Sequence, residues 1–203
     1  MKRGALGLVA AALLAAIGAW ELGHGIWIHA KAQLAQYLLQ RAWERTLRGE
    51  AGAKPWPWAD TSPVARLKVP AHGVDLIVLS GVSGRTLAFG PGYAPGGADV
   101  GAAGTAIVTG HRDTHFRFLE RLRPADEIIL EAPGGAPARF RVEATAVVDS
   151  RTAVIRADPR ASSLVLMTCY PFDALVPGGP LRYVVSARAW GAQGPVVGAA
   201  HVI

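Results

Sequence analysis

The chain has 203 residues, of which 51% are hydrophobic and 18% charged. That is one domain, with or without an appendage, and enough apolar side chain to bury a core; two large lobes and a disordered chain are excluded. A single cysteine, Cys169, excludes an internal disulfide framework and a cysteine-based zinc site. The net charge of +6 is evenly spread, with seven Lys/Arg against four Asp/Glu in residues 1–62 and fourteen against eleven in residues 63–203, so no dense basic block argues for nucleic acid.

Lys2 and Arg3 precede an uncharged run from Gly4 to Trp20. As a helix, this run spans roughly 25 Å at about 1.5 Å per residue, close to the hydrocarbon core of about 30 Å. Ile26, Trp27 and Ile28 extend it, although Glu21 and His24 interrupt. Trp20 and Trp27 suit the interfacial aromatic belt. The expectation is an N-terminal membrane anchor over residues 1–29, entering the membrane through residues 4–28. The rival is a cleaved signal peptide, for which no clean small-x-small site is present. The leading basic pair favours a cytoplasmic N-terminus and an external C-terminus, although Lys31, Arg41, Arg45 and Arg48 beyond the run weaken that argument.

Residues 30–63 read as a helix and a linker. Ala35, Leu39, Ala42, Trp43 and Leu47 fall near one face of a helix over Ala30–Leu47. Gly52, Pro55, Pro57 and Pro63 punctuate the linker, and Trp56-Pro57-Trp58 is either a peptide-binding patch or a tack onto the domain.

From Val64 onward, over residues 64–203, the pattern changes to short strands: Ala65–Val69, Val74–Leu79, Thr105–Thr109, Glu127–Leu130, Arg139–Val148, Leu164–Met167 and Tyr183–Ala189. Gly/Pro clusters separate them, and two short helices are expected at Thr114–Arg121 and Thr152–Ala157. The fold class is mainly β, a barrel or sandwich. No nucleotide-binding glycine motif opens a helix.

Three positions carry chemistry. Cys169 closes the strand Leu164–Thr168, just before Tyr170-Pro171. A cysteine where the chain leaves a sheet is held rigidly and partly exposed, as a nucleophile must be; the bland alternative is a small buried hydrophobe. His111 ends Thr105–Gly110 in the same way. A Cys–His pair distant in sequence suits thiol catalysis, since an imidazolium stabilises the thiolate that attacks. His111 is otherwise a hydrogen-bonded loop histidine, and His115 is a second candidate from the same loop. Arg182 lies thirteen residues after Cys169 and opens the next strand. If those strands pair, its guanidinium returns to the cysteine, where it can stabilise an oxyanion; otherwise it is one surface arginine among seventeen.

Thr109-Gly110-His111-Arg112, Met167-Thr168-Cys169 and Arg182, in that order behind an N-terminal apolar segment, resemble the sortases, cysteine transpeptidases of bacterial surfaces. The resemblance covers roughly Val64–Trp190 and includes Leu87–Gly92. Gly-His-Arg-Asp-Thr-His-Phe with Thr-Cys-Tyr-Pro-Phe is most similar to the Gram-negative (proteobacterial) branch, near class D. Met167 departs from the leucine, valine or threonine more usual before Thr-Cys. The resemblance implies an eight-stranded β-barrel with Cys169, His111 and Arg182 as the catalytic set, and no metal or organic cofactor. It implies a substrate protein with a short C-terminal sorting motif, an amine acceptor, and an inner-membrane enzyme facing the periplasm. Thr168 and Tyr170 flank the nucleophile as candidate substrate-binding residues, Thr168 being equally readable as an ordinary strand residue. The loop Phe172–Pro180 is a candidate for shaping specificity. Two other readings stand beside this one: an L,D-transpeptidase-like cell-wall enzyme, which resembles a His-Gly-Cys cluster absent here, and a non-catalytic anchored binding module with a buried cysteine.

Overall fold

Alternating apolar residues drive most of this structure. The computed structural model describes residues 2–155, 159–176 and 178–190. They fall into two units divided after Leu38. The first belongs to helix α1, Lys2–Leu47. Leu13, Leu14, Ile17, Trp20, Ile26 and Trp27 along it are all more than half exposed. By length and composition the helix is able to cross a membrane, with Ala11–Leu47 as the candidate span. No break separates the run through Ile28 from the helix expected over Ala30–Leu47.

In the second unit the strands are β1 (Pro63–Val69), β2 (Val74–Ser80), β3 (Gly92–Tyr93), β4 (Gly104–Thr109), β5 (Glu127–Glu131), β6 (Ala138–Asp149), β7 (Ser162–Cys169) and β8 (Leu181–Ala189). They close a barrel in the order β1-β2-β3-β4-β7-β8-β6-β5, with β5 returning to β1. The eight-stranded barrel is the architecture the sequence led us to expect. β2–β3 and β4–β7 are parallel and the other neighbours antiparallel. Closure pairs the backbone groups that an open edge would expose. The interior is one cluster that includes Leu67, Val108, Phe140, Leu164, Leu166 and Val185. A second, smaller cluster joins Leu39 and Trp43, from the last turns of α1, to Ile77 and Leu79 of β2 and to Phe89. Leu39, Ala42 and Trp43 are thus buried in the globular unit, whereas Leu47 is exposed. Trp56 of the linker packs edge-on against Phe89 at 4.8 Å, while Trp58 is exposed. The tack is the arrangement observed.

Three local expectations differ. The segment Thr114–Arg121 is a loop followed by a 3-10 turn over Arg117–Arg121. Phe116 N–H donates to the His111 carbonyl at 2.9 Å, and Phe116, Phe118 and Leu119 are all buried. Thr152 lies in a turn that folds back on Asp149, and the rest of the expected helix, at Arg156 and Ala157, lies outside the described residues. β3 and the one-turn helix α2 (Gly84–Leu87) were not anticipated. α2 is capped by Ser83, whose hydroxyl accepts from the Thr86 N–H at 3.2 Å. Gly92 is fixed by space: a Cβ there would stand 2.2 Å from the Gly81 carbonyl oxygen.

Candidate active site

The parallel ladder between β4 and β7 runs in constant register from Gly104↔Ser162 to Thr109↔Met167. Gly110 N–H continues it with a bond to the Met167 carbonyl at 3.2 Å. Carried two residues past Thr109↔Met167, the same offset matches His111 with Cys169, the last residue of β7, and His111 itself lies beyond the end of β4. On the other side β8 runs antiparallel, and its register pairs Cys169 directly with Arg182. Arg182 on β8 is thus paired with Cys169, and His111 follows two residues after the end of β4, the other neighbour of β7. His111 is exposed, and Cys169 and Arg182 are half-buried. The thiol is a free cysteine and is not enclosed in the core.

Gly110 is the hinge between β4 and His111. A Cβ at Gly110 would lie 2.8 Å from the Phe116 ring, so glycine lets the histidine segment turn over a buried aromatic. Thr168 fixes the same point from β7: its Oγ1 donates to the Gly110 carbonyl at 2.7 Å within the protein. Side chains alternate along a strand. Thr168 follows Leu164 and Leu166 on the interior face, and it is 3% exposed. Thr168 is thus turned into the barrel interior, with a partner across the β4–β7 seam.

The opposite, outer face carries Thr105, Ile107 and Thr109 from β4 beside Ser163, Val165, Met167 and Cys169 from β7. Thr105 and Ser163 are buried and bonded to each other at 2.8 Å. Ile107, Thr109 and Met167 are half-buried and Val165 is fully buried, making a narrow apolar stripe that leads to the thiol.

Tyr170 is half-buried and stacks on Tyr183 at 6.3 Å, with Phe172 edge-on to both rings. The trio begins one residue after Cys169, and Phe172 is buried within it. Arg182 Nη1 donates to the carbonyls of Gly179, at 2.7 Å, and Leu181, at 2.9 Å. Asp149 lies near Arg182, but its carboxylate is held chiefly by hydrogen bonds from Arg151, which bring its pKa down to about 2. His115, the second candidate histidine, is half-buried, and burial first, then the neighbouring His111, pushes its pKa below the ordinary 6.5. His115 therefore favours its neutral form, and Thr114 Oγ1 lies 3.4 Å from its Nδ1. Among the described residues no group of three or more His, Cys, Asp or Glu side chains gathers as a metal site.

Arg112 was missed as more than a polar neighbour of His111. Its Nη2 donates to the Ala174 carbonyl at 2.7 Å, across 62 residues of sequence. Nothing in a single sequence signals that contact, because the acceptor is backbone in a loop.

Comparison with known proteins bears on the same residues. The Sortase domain family model matches residues 67–190. Sortase D of Bacillus subtilis (strain 168) is 29% identical over 123 residues, which cover 60% of this chain and 61% of that protein. The chain thus spans about three fifths of the length of the curated relative it matches. Among solved structures, a Clostridium perfringens Sortase D5 transpeptidase superposes with a TM-score of 0.61 at 18% identity, over 78% of this chain and 99% of that one. Sortase A from Corynebacterium diphtheriae superposes at 0.59 with 21% identity, over 78% and 85%. At such identities the superpositions speak to the fold, a mainly β barrel of the same build. With the barrel sharing this architecture and the family match running from Leu67, within β1, to Trp190, the chain belongs to the sortase family.

Proposed function

We propose that the protein is a membrane-anchored cysteine transpeptidase that cleaves a sorting motif through a thioacyl-enzyme and passes the acyl group to an amine. The observation that carries this reading is the pairing of Cys169 with Arg182 in the β7–β8 register, with His111 two residues beyond the end of β4, which runs beside β7.

A substrate peptide lies extended along the outer face of β4 and β7, its apolar side chains on Ile107 and Met167. The Cys169 thiolate attacks the scissile carbonyl carbon and an S–C bond forms. The carbonyl electrons move onto oxygen, where the Arg182 guanidinium stabilises them. As the tetrahedral species collapses, the C–N bond breaks and His111, as imidazolium, gives its proton to the leaving amine. An incoming amine then attacks the thioester, His111 accepts its proton, and the C–S bond breaks to regenerate thiolate. Water is the competing acceptor. Thr168 keeps Gly110, and with it His111, against the end of β7. Tyr170 contributes the wall beside the thiol.

The resemblance to the class D type is supported by the 29% identity to a Sortase D, and placement in the Gram-negative branch by the motifs Gly110–Phe116 and Thr168–Phe172. The exposed apolar side chains of α1 support a single-pass inner-membrane anchor with the barrel in the periplasm.

The test is product formation. The full chain in detergent micelles is incubated with extended peptides built on Leu-Pro-x-Thr-Gly variants and an added amine. A new amide at the scissile position, absent with Cys169→Ala, is expected. A Cys169 that reacts with alkylating reagents only after unfolding, with no peptide product, would overturn the reading in favour of a binding module.

A further inference from the structure

Two guanidinium groups grip the loop between β7 and β8. Arg182 holds its far end through the Gly179 carbonyl. Arg112 holds its near end at Ala174, five residues after Cys169. Arg112 directly follows His111, and its side chain is half-buried. The ladder between β4 and β7 ends at Gly110; beyond it, among the described residues, the backbone bonds of the histidine segment are Phe116 N–H to the His111 carbonyl and Arg117 N–H to Thr114 at 3.5 Å, while Phe116 packs into the core. Past the end of that ladder, the Arg112–Ala174 bond is what ties the segment bearing His111 to the loop that follows Cys169.

We propose that Arg112 is a positioning residue. Its guanidinium fixes the exit of β4 to the β7–β8 loop, so that the His111 imidazole stays within proton-transfer reach of Cys169 and the reacting amine. A charged donor on a backbone carbonyl is stronger than a neutral one, and arginine's planar fork loses little freedom when it binds. The acceptor is main chain, so the tie is independent of the side chain at position 174. The inference rests on the thioacyl reading above and deepens it.

The experiment uses the full chain in detergent micelles and compares wild type with Arg112→Ala, Arg112→Lys and His111→Ala. Three quantities are read: kcat and KM for peptide cleavage, the pH profile of Cys169 alkylation by iodoacetamide, and the melting temperature. Misplacing a catalytic group by about 1 Å costs on the order of 100-fold, so Arg112→Ala should lower kcat about 10- to 100-fold with KM changed less than about twofold. Its alkylation profile should shift toward that of His111→Ala, and Arg112→Lys should recover part of both. An unchanged kcat, or a raised KM at constant kcat, overturns the proposal; so does a fall in kcat with the wild-type alkylation profile. If wild type cleaves no peptide and Cys169 resists alkylation until unfolded, the functional reading fails; if Cys169 reacts in the folded protein, the alkylation profile decides the role of Arg112. If Arg112→Ala does not fold, the Arg112→Lys profile decides it alone: movement toward His111→Ala supports the tie and an unmoved profile overturns it.

Discussion

Thr168, next to Cys169, faces the barrel interior. Its hydroxyl is buried, and its 2.7 Å bond to Gly110 crosses the β4–β7 seam one residue before Cys169. Thr168→Val keeps the shape, removes the donor and strips the Gly110 carbonyl of that bond. The variant should lose about 1–3 kcal/mol of stability, seen as a lower urea midpoint with unchanged slope. Its peptide cleavage should fall as well, because the turn carrying His111 is no longer pinned. At Gly110 the constraint is steric: alanine would drive a methyl group into the Phe116 ring, 2.8 Å away. The sequence named Cys169, His111 and Arg182 because each stands at a strand end, a position that composition and turn residues reveal. It did not reveal the inward direction of Thr168, since the parity of a strand becomes certain only when its core partners, here Leu164 and Leu166, are known. Arg112 was beyond reach because its acceptor is a carbonyl 62 residues away.

At the scale of elements, the barrel is legible where strands are long and apolar and illegible where they are short. β4, β7 and β8 announce themselves through runs such as Leu164–Met167. β3, at two residues, carries no periodicity; it exists because β2 and β4 are already there to pair with it. The end of α1 belongs to the globular unit through Leu39 and Trp43, both essentially buried against β2. Trp43→Ala should therefore cost about 3–5 kcal/mol, measurable by thermal or denaturant unfolding of the solubilised protein. The β1–β2 turn is tied to the start of β5 by His72 Nε2 and Asp126 Oδ2, 3.0 Å apart. The His72 hydrogen bond, with smaller help from the Arg123 N–H, holds the Asp126 carboxyl below its ordinary 3.8. A carboxylate whose pKa is depressed by folding stabilises the fold above its unfolded value and loses that contribution as pH falls through the folded one. Asp126→Asn should then melt below wild type at neutral pH, and the difference should close as the pH drops below 3.8. A gap that persists unchanged into that acid range would show that the tie is not ionic.

The whole molecule carries a long N-terminal apolar helix and a closed eight-stranded barrel. α1 carries apolar side chains that water would not tolerate in bulk: Leu14, Trp20 and Ile26 are each 70% exposed or more. The full chain should sediment with membranes and resist extraction by high salt and alkaline carbonate, while detergent releases it. The measurement that tests the central claim most directly is the intact mass of the acid-denatured protein after brief exposure to peptide, with the modified residue mapped by fragmentation. The account predicts a peptide-fragment thioester on Cys169, discharged when an amine is added and absent from Cys169→Ala. With a peptide that wild type demonstrably cleaves, cleavage that persists in Cys169→Ala, or that leaves Cys169 unmodified in a burst-phase sample, would contradict it.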